Sequence, residues 1–286
     1  YYLYDSVFDR VHKLGGLTGY AHQGMSFNGY RGMTLDILTE KVDFLELLQF
    51  CVPDGPLHLD HYYHYLDLGF MITATAGSDF PWCGRNSSTW DARIGNARFY
   101  TYVGDSLTFK GWKQGLGAGH TFVTSGPMLD LKISDRLPGD LIEAEKGTTL
   151  HITATAFGHT EQVPLKNLEI IGHGSVISSV TSEDTGQNQE QLTIEMELPV
   201  SNGMWIAAKC TAGESQEAHT TPIYISVDGN GFINPVTAPM YLELSEAYLQ
   251  ELEQEIQRPH DWFDRQAWRY GEALQIRIDE ARAILD

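Results

Sequence analysis

Three residues of metal-ligand type stand at or near the ends of short apolar segments. His22 follows residues 17–21 (LTGYA), Glu46 lies within residues 42–47 (VDFLEL), and Asp79 follows residues 71–77 (MITATAG). Imidazole nitrogen and carboxylate oxygen are ligands that Zn²⁺, Mn²⁺ and Fe²⁺ accept. Such ions lower the pKa of bound water and polarise a carbonyl or phosphoryl oxygen, so these residue types are suited to metal-assisted hydrolysis.

Spacing alone leaves another interpretation open for each of the three. A single histidine after a strand is most often structural, and Asp79 before Pro81 also fits ordinary turn chemistry. Glu46 is less ordinary, because a carboxylate buried in an apolar run without a partner is costly. Glu46 is therefore either a site residue or exposed on a strand edge.

Alternating strand and helix patterns in residues 1–125 could bring these side chains together. The alternation predicts a largely parallel sheet or barrel, in which the carboxyl ends of successive strands meet at one face. Ser106 is the predicted N-cap of the last helix in this region. The predicted strands are 17–21, 42–47, 71–76 and 97–103, and the predicted helices are 2–13, 34–39, 58–68 and 106–118.

From residue 127 the apolar residues alternate in twos, as in residues 150–156 (HITATA after Leu150) and 191–197. About seven such runs predict an antiparallel β-sandwich. A Gly- and Pro-containing linker follows, and then two helical patterns, 241–257 and 262–285, are separated by Pro259. The predicted domains are therefore 1–126, 127–228 and 229–286.

Several ordered sequence blocks resemble the CehA/McbA family of metallohydrolases, which belongs to the PHP-domain superfamily. The most specific resemblance is carried by residues 112–127 (WKQGLGAGHTFVTSGP). The other blocks are 16–22 (GLTGYAH), 42–46 (VDFLE), 62–70 (YYHYLDLGF), 76–79 (AGSD) and 137–140 (LPGD).

This resemblance implies the C-terminal part of a distorted (β/α)₇ PHP-type barrel, in an α/β class protein, followed by the sandwich and a helical tail. It implies hydrolysis of an ester, carbamate or phosphoester by a metal-activated water. Residue by residue, His22 and Asp79 match metal ligands, Glu46 a catalytic residue, and His64 lies within a family block and is a second catalytic candidate. The implied cofactor is a divalent metal ion: Zn, Mn or Fe.

The chain also departs from the family pattern. It has no His-x-His pair, which in the family begins the barrel, and Phe80-Pro81 stand where many PHP proteins complete an Asp-x-His. His120 stands where the family more often has Arg. We therefore expect sequence upstream of Tyr1 to carry the missing pair.

Three more residues are candidates for lining a substrate pocket: Trp82, Arg85 and His120. Loops at the carboxyl ends of strands often line such pockets, although solvent-exposed loop positions are the simpler interpretation for Trp82 and Arg85. His58, His61 and His64 share one helical face by their spacing of three. A polar helix face explains that spacing more simply than a metal cluster.

Charge restricts the partners of the chain. Its 38 acidic and 19 basic side chains give a net charge of −19. Nucleic acid and anionic lipid both require a basic face, so the expected partner is a small-molecule or polymer-derived substrate. No apolar stretch approaches the roughly 18 residues that span a bilayer. The alternative function is an inactive PHP-derived scaffold that binds a partner through its sandwich.

Overall fold

The computed structural model describes residues 4–21, 29–49, 57–78, 94–185, 190–257 and 271–285. The strands within these ranges are β1 Gly19–Tyr20, β2 Phe44–Gln49, β3 Thr73–Gly77, β4 Arg98–Thr101, β5 Thr121–Thr124, β6 Met128–Ile133, β7 Leu141–Ala144, β8 Thr149–Phe157, β9 Leu165–Gly172, β10 Ser175–Thr181, β11 Gln191–Pro199, β12 Met204–Ala212, β13 Gln216–Thr220 and β14 Ile223–Val227. The helices are α1 Asp5–Lys13, α2 Gly29–Leu38, α3 Asp60–Asp67, α4 Phe109–Gly117, α5 Ser182–Thr185, α6 Ala238–Gln257 and α7 Gly271–Leu285.

The first three strands form a small parallel sheet in the order β1-β2-β3. Gly19 lies opposite Phe44, and Glu46 lies opposite Thr75. A Cβ atom on Gly19 would stand 2.3 Å from the Phe44 carbonyl oxygen, so only glycine allows this close approach. The glycine that precedes the predicted ligand His22 therefore has a structural reason in the pairing of β1 with β2.

Two further sheets pack face to face around an apolar core. The larger has the order β10-β9-β12-β13-β5-β4, with β14 beside β12 and β7 parallel to β14, and the smaller has the order β11-β8-β6. Strict alternation of buried and exposed residues along β6 and most of β8 shows that one face of the smaller sheet is solvated. The core side chains include Leu131, Ile152, Leu168, Ile194 and Ile206.

The larger sheet is also buried on its second face. Along β12, Ile206 belongs to the core of the paired sheets, whereas its neighbours Trp205 and Ala207 join a second cluster with Leu45 and Tyr62. Successive side chains of a strand point to opposite faces, so the larger sheet is the middle layer. The parallel sheet and α3 cover one of its faces, and the smaller sheet covers the other.

The predicted (β/α)₇ barrel is wrong. In the described residues the parallel stack stops at three strands and does not close. The strand predicted at 97–103 becomes β4, which pairs antiparallel with β5, and β5 pairs antiparallel with β13. Helix–strand alternation predicts elements but not their partners, and here residues on both sides of position 126 contribute strands to one sheet.

The C-terminal helices pack on α2. Leu249 and Leu252 of α6 and Ile278 of α7 share an apolar cluster with Leu35 and Leu38. The helix predicted at 241–257 is confirmed by α6, and the first part of the helix predicted at 262–285 lies outside the described residues. Within the described ranges, none of the helices has the length and apolarity needed to cross a bilayer.

Candidate functional site

Glu46 is the third of the six residues of β2, the central strand of the parallel sheet. Its neighbours Leu45 and Leu47 are fully buried, while Glu46 itself is half-buried. Its Oε1 atom is 2.8 Å from the position that a Cβ atom would occupy on Gly77, the last residue of β3. The missing side chain at Gly77 therefore provides the space in which the carboxylate lies.

A register shift between β2 and β3 begins at Glu46. Glu46 pairs with Thr75, but the next paired residue is Leu48, opposite Ala76, so Leu47 has no partner of its own. Such irregularities change the direction of a strand's side chains and are frequent beside active sites. The extra residue lets Leu47 and Leu48 both be buried while Glu46 is half-buried.

A polar cluster joins the segments at the opposite end of the same sheet. His12 Nε2 is 2.8 Å from Asp43 Oδ2, and the Thr18 backbone nitrogen donates to the same carboxylate oxygen at 2.6 Å. The Thr18 hydroxyl also contacts His12 Nε2 at 2.9 Å. These contacts connect α1 to the residues that precede β1 and β2. The sequence patterns did not point to this cluster, because its members are separated by 25 residues or more along the chain, apart from His12 and Thr18.

His64 lies in the interface between α3 and α6. Its Nε2 atom is 2.9 Å from the Ser245 hydroxyl, and its ring stacks on Tyr65 and Tyr241 at centroid distances of 4.5 and 4.6 Å. Burial lowers the pKa of His64 to about 4. These contacts account for the burial of His64 by packing, and they do not bring it to Glu46.

His120 directly precedes β5, a strand of the larger sheet. Its Nε2 atom is 3.3 Å from Asp140 Oδ1. The adjacent Thr121 hydroxyl donates to the Ala74 carbonyl at 2.8 Å, which places His120 near the beginning of β3. The Glu46 carboxylate lies at Gly77, the last residue of β3, so these two candidates make their contacts with different residues.

The other predicted site residues, His22, Asp79, Trp82 and Arg85, lie outside the described residues. Among the residues that are described, no three His, Cys, Asp or Glu side chains form a group that could hold a metal ion. Among the candidates that the structure describes, Glu46 lies on the parallel sheet, one residue beyond Leu45, which pairs with the last residue of β1. The described residues come close to two of these positions in the sequence. Tyr20, two residues before His22, ends β1, and Ser78, one residue before Asp79, follows β3.

A buried carboxylate that sequence reasoning missed connects α3, the larger sheet and the segment that leads into α6. Asp67 accepts hydrogen bonds from Trp205 Nε1 at 2.6 Å, Thr237 Oγ1 at 2.6 Å and Asn234 Nδ2 at 3.1 Å, and His173 Nδ1 lies 3.4 Å away. Burial by itself would raise the pKa of Asp67, but these polar neighbours together hold it below its ordinary value. No sequence signal marks this residue, because its partners lie 106 to 170 positions away.

Comparison with known proteins leaves the family open. No family model and no curated protein sequence matches the chain. Among solved structures, the sulfur carrier protein SoxY from Chlorobium limicola f thiosulfatophilum is 10% identical, with 34% of this chain and 78% of that chain covered and a TM-score of 0.25. Fibronectin(III)-like modules of Clostridium thermocellum CbhA are 17% identical, with 34% and 94% covered and a TM-score of 0.22.

Proposed function

We propose that the chain is a metal-dependent hydrolase whose site lies at the carboxyl-end edge of the three-stranded parallel sheet. The supporting observation is the order and register of β1, β2 and β3. Glu46 is on the central strand, His22 is the second residue after the end of β1, and Asp79 is the second after the end of β3. Two residues span at most about 7 Å, and neighbouring strands are about 4.8 Å apart.

The residues at this edge fit a divalent ion. His22 and Asp79 would supply one imidazole and one carboxylate, and Glu46 on the central strand would supply a second carboxylate, a donor set that Zn²⁺, Mn²⁺ and Fe²⁺ accept. Glu46 supports this assignment further, because its carboxylate occupies the space left by Gly77 and lies at the register shift. His22 and Asp79 are the proposed ligands, as the resemblance to CehA/McbA metallohydrolases also implies.

When bound, the ion would lower the pKa of water and polarise the bond to be cleaved. Glu46 would then serve as the general base that takes a proton at its carboxylate. The net charge of −19 disfavours polyanions, so the proposed substrate is a small ester, carbamate or phosphoester.

Metal analysis of the purified chain tests this proposal. We expect bound Zn, Mn or Fe by mass spectrometry, and loss of most of it in His22→Ala and Asp79→Asn. The matched controls are His151→Ala and Asp130→Asn, which replace exposed residues of β8 and β6 and should retain the metal. Glu46→Gln should retain the metal but lose hydrolysis of p-nitrophenyl acetate, bis-p-nitrophenyl phosphate or an aryl carbamate.

Two results would contradict the proposal. One is a folded chain that binds none of the three ions. The other is equal metal content in the His22→Ala and His151→Ala proteins. Either result would favour the alternative function, a scaffold that acts by binding.

A further inference from the structure

A cavity lies at the rim of the two packed sheets, away from Glu46. It has a volume of about 190 Å³ and is bounded by β4, β5, β6 and the residues that follow β6. β6 is an edge strand of the smaller sheet and packs over β12 and β13, whereas β4 and β5 extend the larger sheet beyond β13. The cavity therefore exists because the larger sheet is wider than the sheet that covers it.

Two cross-strand aromatic pairs form one wall of this cavity. Tyr100 lies opposite Phe122, with stacked rings 5.1 Å apart. Tyr102 is placed beside His120 by a backbone hydrogen bond, with their rings 6.5 Å apart. Tyr100 and Tyr102 are 39% and 57% exposed, although they are large aromatic side chains. Exposed aromatic residues that line one concavity are typical of a binding surface rather than of a core.

The remaining wall combines apolar and polar groups. Leu131, Leu137 and Pro138 supply apolar surface. At the polar side, His120 contacts Asp140 at 3.3 Å, and Asp140 Oδ2 accepts a hydrogen bond from the Leu137 backbone nitrogen at 2.9 Å. Asp140 thereby limits the movement of the His120 imidazole, which lines the cavity together with Asp130, as is usual where a few polar groups orient a ligand in an otherwise apolar pocket.

The groups that line the cavity disfavour an anion. Asp130 is the carboxylate of the lining, and the guanidinium of Arg98, which lies 5.6 Å from the centroid of the Tyr100 ring, donates to the Gly95 and Gly126 carbonyl oxygens at 2.9 and 3.3 Å. Exposed aromatic rings beside one carboxylate and one imidazole fit a neutral ligand with one apolar face and a hydroxyl-bearing edge.

We propose that this cavity binds one ring of a neutral saccharide. The apolar C–H face of a pyranose would pack on the exposed ring of Tyr102, because that removes apolar surface of both from water. Its hydroxyl groups would donate to Asp130 and exchange hydrogen bonds with His120, whose imidazole is 3.3 Å from Asp140. The site is separate from the proposed metal edge and does not depend on that function. The ring can come from a free sugar or from a unit of a neutral polysaccharide.

Calorimetric titration of the chain tests the proposal with glucose, galactose, mannose and N-acetylglucosamine, and with soluble neutral glucan and galactomannan. We expect saturable binding of at least one sugar, at least tenfold weaker in Tyr102→Ala. Phe109→Ala is the matched control: it removes an aromatic side chain that is 77% exposed and does not line the cavity, and binding should stay within twofold. Binding of a monosaccharide without binding of either polymer would identify a free sugar as the source of the ring. Tighter binding of a polymer would identify a polysaccharide unit as the source.

Three results would overturn the proposal. The first is no saturable binding of any neutral sugar or polymer. The second is binding that Tyr102→Ala and Phe109→Ala weaken equally. The third is preference for glucuronate or for a quaternary ammonium ion over every neutral sugar, because the occupant would then be a charged molecule. His120→Phe, which retains an aromatic ring, adds an independent readout and should weaken sugar binding by removing the polar edge.

Discussion

The carboxylate of Asp67 accepts a hydrogen bond from the indole nitrogen of Trp205 at 2.6 Å, between residues 138 positions apart. Asp67 ends α3, and Trp205 is a fully buried residue of the middle sheet. Asn234 and Thr237 donate to the other oxygen of the same carboxylate, so the segment that leads into α6 is attached at the same point. One buried side chain thus connects the helix layer, the middle sheet and the C-terminal helices.

Replacement of Asp67 by alanine should destabilise the protein by roughly 3 to 5 kcal/mol. The change leaves the donors of Trp205, Asn234 and Thr237 buried without an acceptor, and each such group costs about 1 to 3 kcal/mol, partly recovered by relaxation. Urea unfolding followed by tryptophan fluorescence measures the change. Asp135→Ala, at an exposed position, is the control and should stay within about 0.5 kcal/mol of the parent chain. Equal stability of the two variants would contradict the assigned role of Asp67.

The free energy of unfolding should fall as the pH is lowered from about 6.5 to about 4. His219 is fully buried, its Nδ1 contacts the Thr220 carbonyl at 2.7 Å and its Nε2 contacts the Tyr63 hydroxyl at 2.8 Å. Burial lowers the pKa of His219 from 6.5 to about 4, so the unfolded chain binds more protons in this interval. The contribution of the neutral His219 imidazole to the free energy of unfolding is complete above pH 6.5. It is lost at about 1.4 kcal/mol per pH unit below that pH.

His219→Gln tests this linkage, because an amide retains one donor and one acceptor but does not titrate. Unfolding measured from pH 8 to pH 4 should show a slope reduced by about 1.4 kcal/mol per pH unit in the variant. At pH 8 the imidazole is neutral in both states, so the difference there measures packing alone. Parallel pH profiles for the two proteins would show that His219 does not contribute.

Substitutions of His64 separate packing from catalysis. His64→Phe preserves the ring stacking with Tyr65 and Tyr241 but removes the hydrogen bond to Ser245, which we expect to cost about 1 kcal/mol. His64→Ala also removes the ring and should cost about 3 kcal/mol or more. Hydrogen exchange of α6 should increase in the alanine variant. A stable His64→Phe protein that has lost hydrolysis would instead show that His64 is catalytic.

Gly77→Ala probes the proposed metal edge through Glu46. The new methyl group would lie 2.8 Å from Glu46 Oε1, too close for contact, so the carboxylate must move. We expect hydrolysis to fall at least tenfold while the unfolding free energy changes by less than about 1.5 kcal/mol. Gly117→Ala is the matched control, because a Cβ atom there meets only Leu17 at 3.5 Å, an ordinary contact distance. Unchanged hydrolysis in Gly77→Ala would show that Glu46 does not act in the reaction.

The local sequence predicted many elements because their signals are contained within a few residues. Helical periodicity located α1, α3 and α6, and alternation in twos located β8 and β11. The N-cap prediction for α4 is wrong by two residues. Ser106 is the predicted cap, but the Thr108 hydroxyl accepts a hydrogen bond from the Gly111 backbone nitrogen at 3.0 Å. Serine and threonine are both favoured at this position, so residue type could not decide between them.

Strand partners and the environment of polar side chains were decided by the tertiary structure. The segment from 97 to 103 had the pattern of a strand, but only the surfaces offered by β5 and β13 determined that it joined an antiparallel sheet rather than a barrel. Periodicity describes one segment, whereas pairing depends on segments that are distant in the chain.

The same distinction applies to the candidate residues. The sequence by itself determined that Glu46 stands in an apolar strand and that His22 and Asp79 follow neighbouring strands. It left open whether Glu46 is exposed on an edge, and the tertiary structure placed its carboxylate half-buried against Gly77. The tertiary structure also decided that His64 packs on α6 and that Asp67 receives Trp205. Those contacts depend on which surfaces meet after folding, and no short stretch of sequence contains that information.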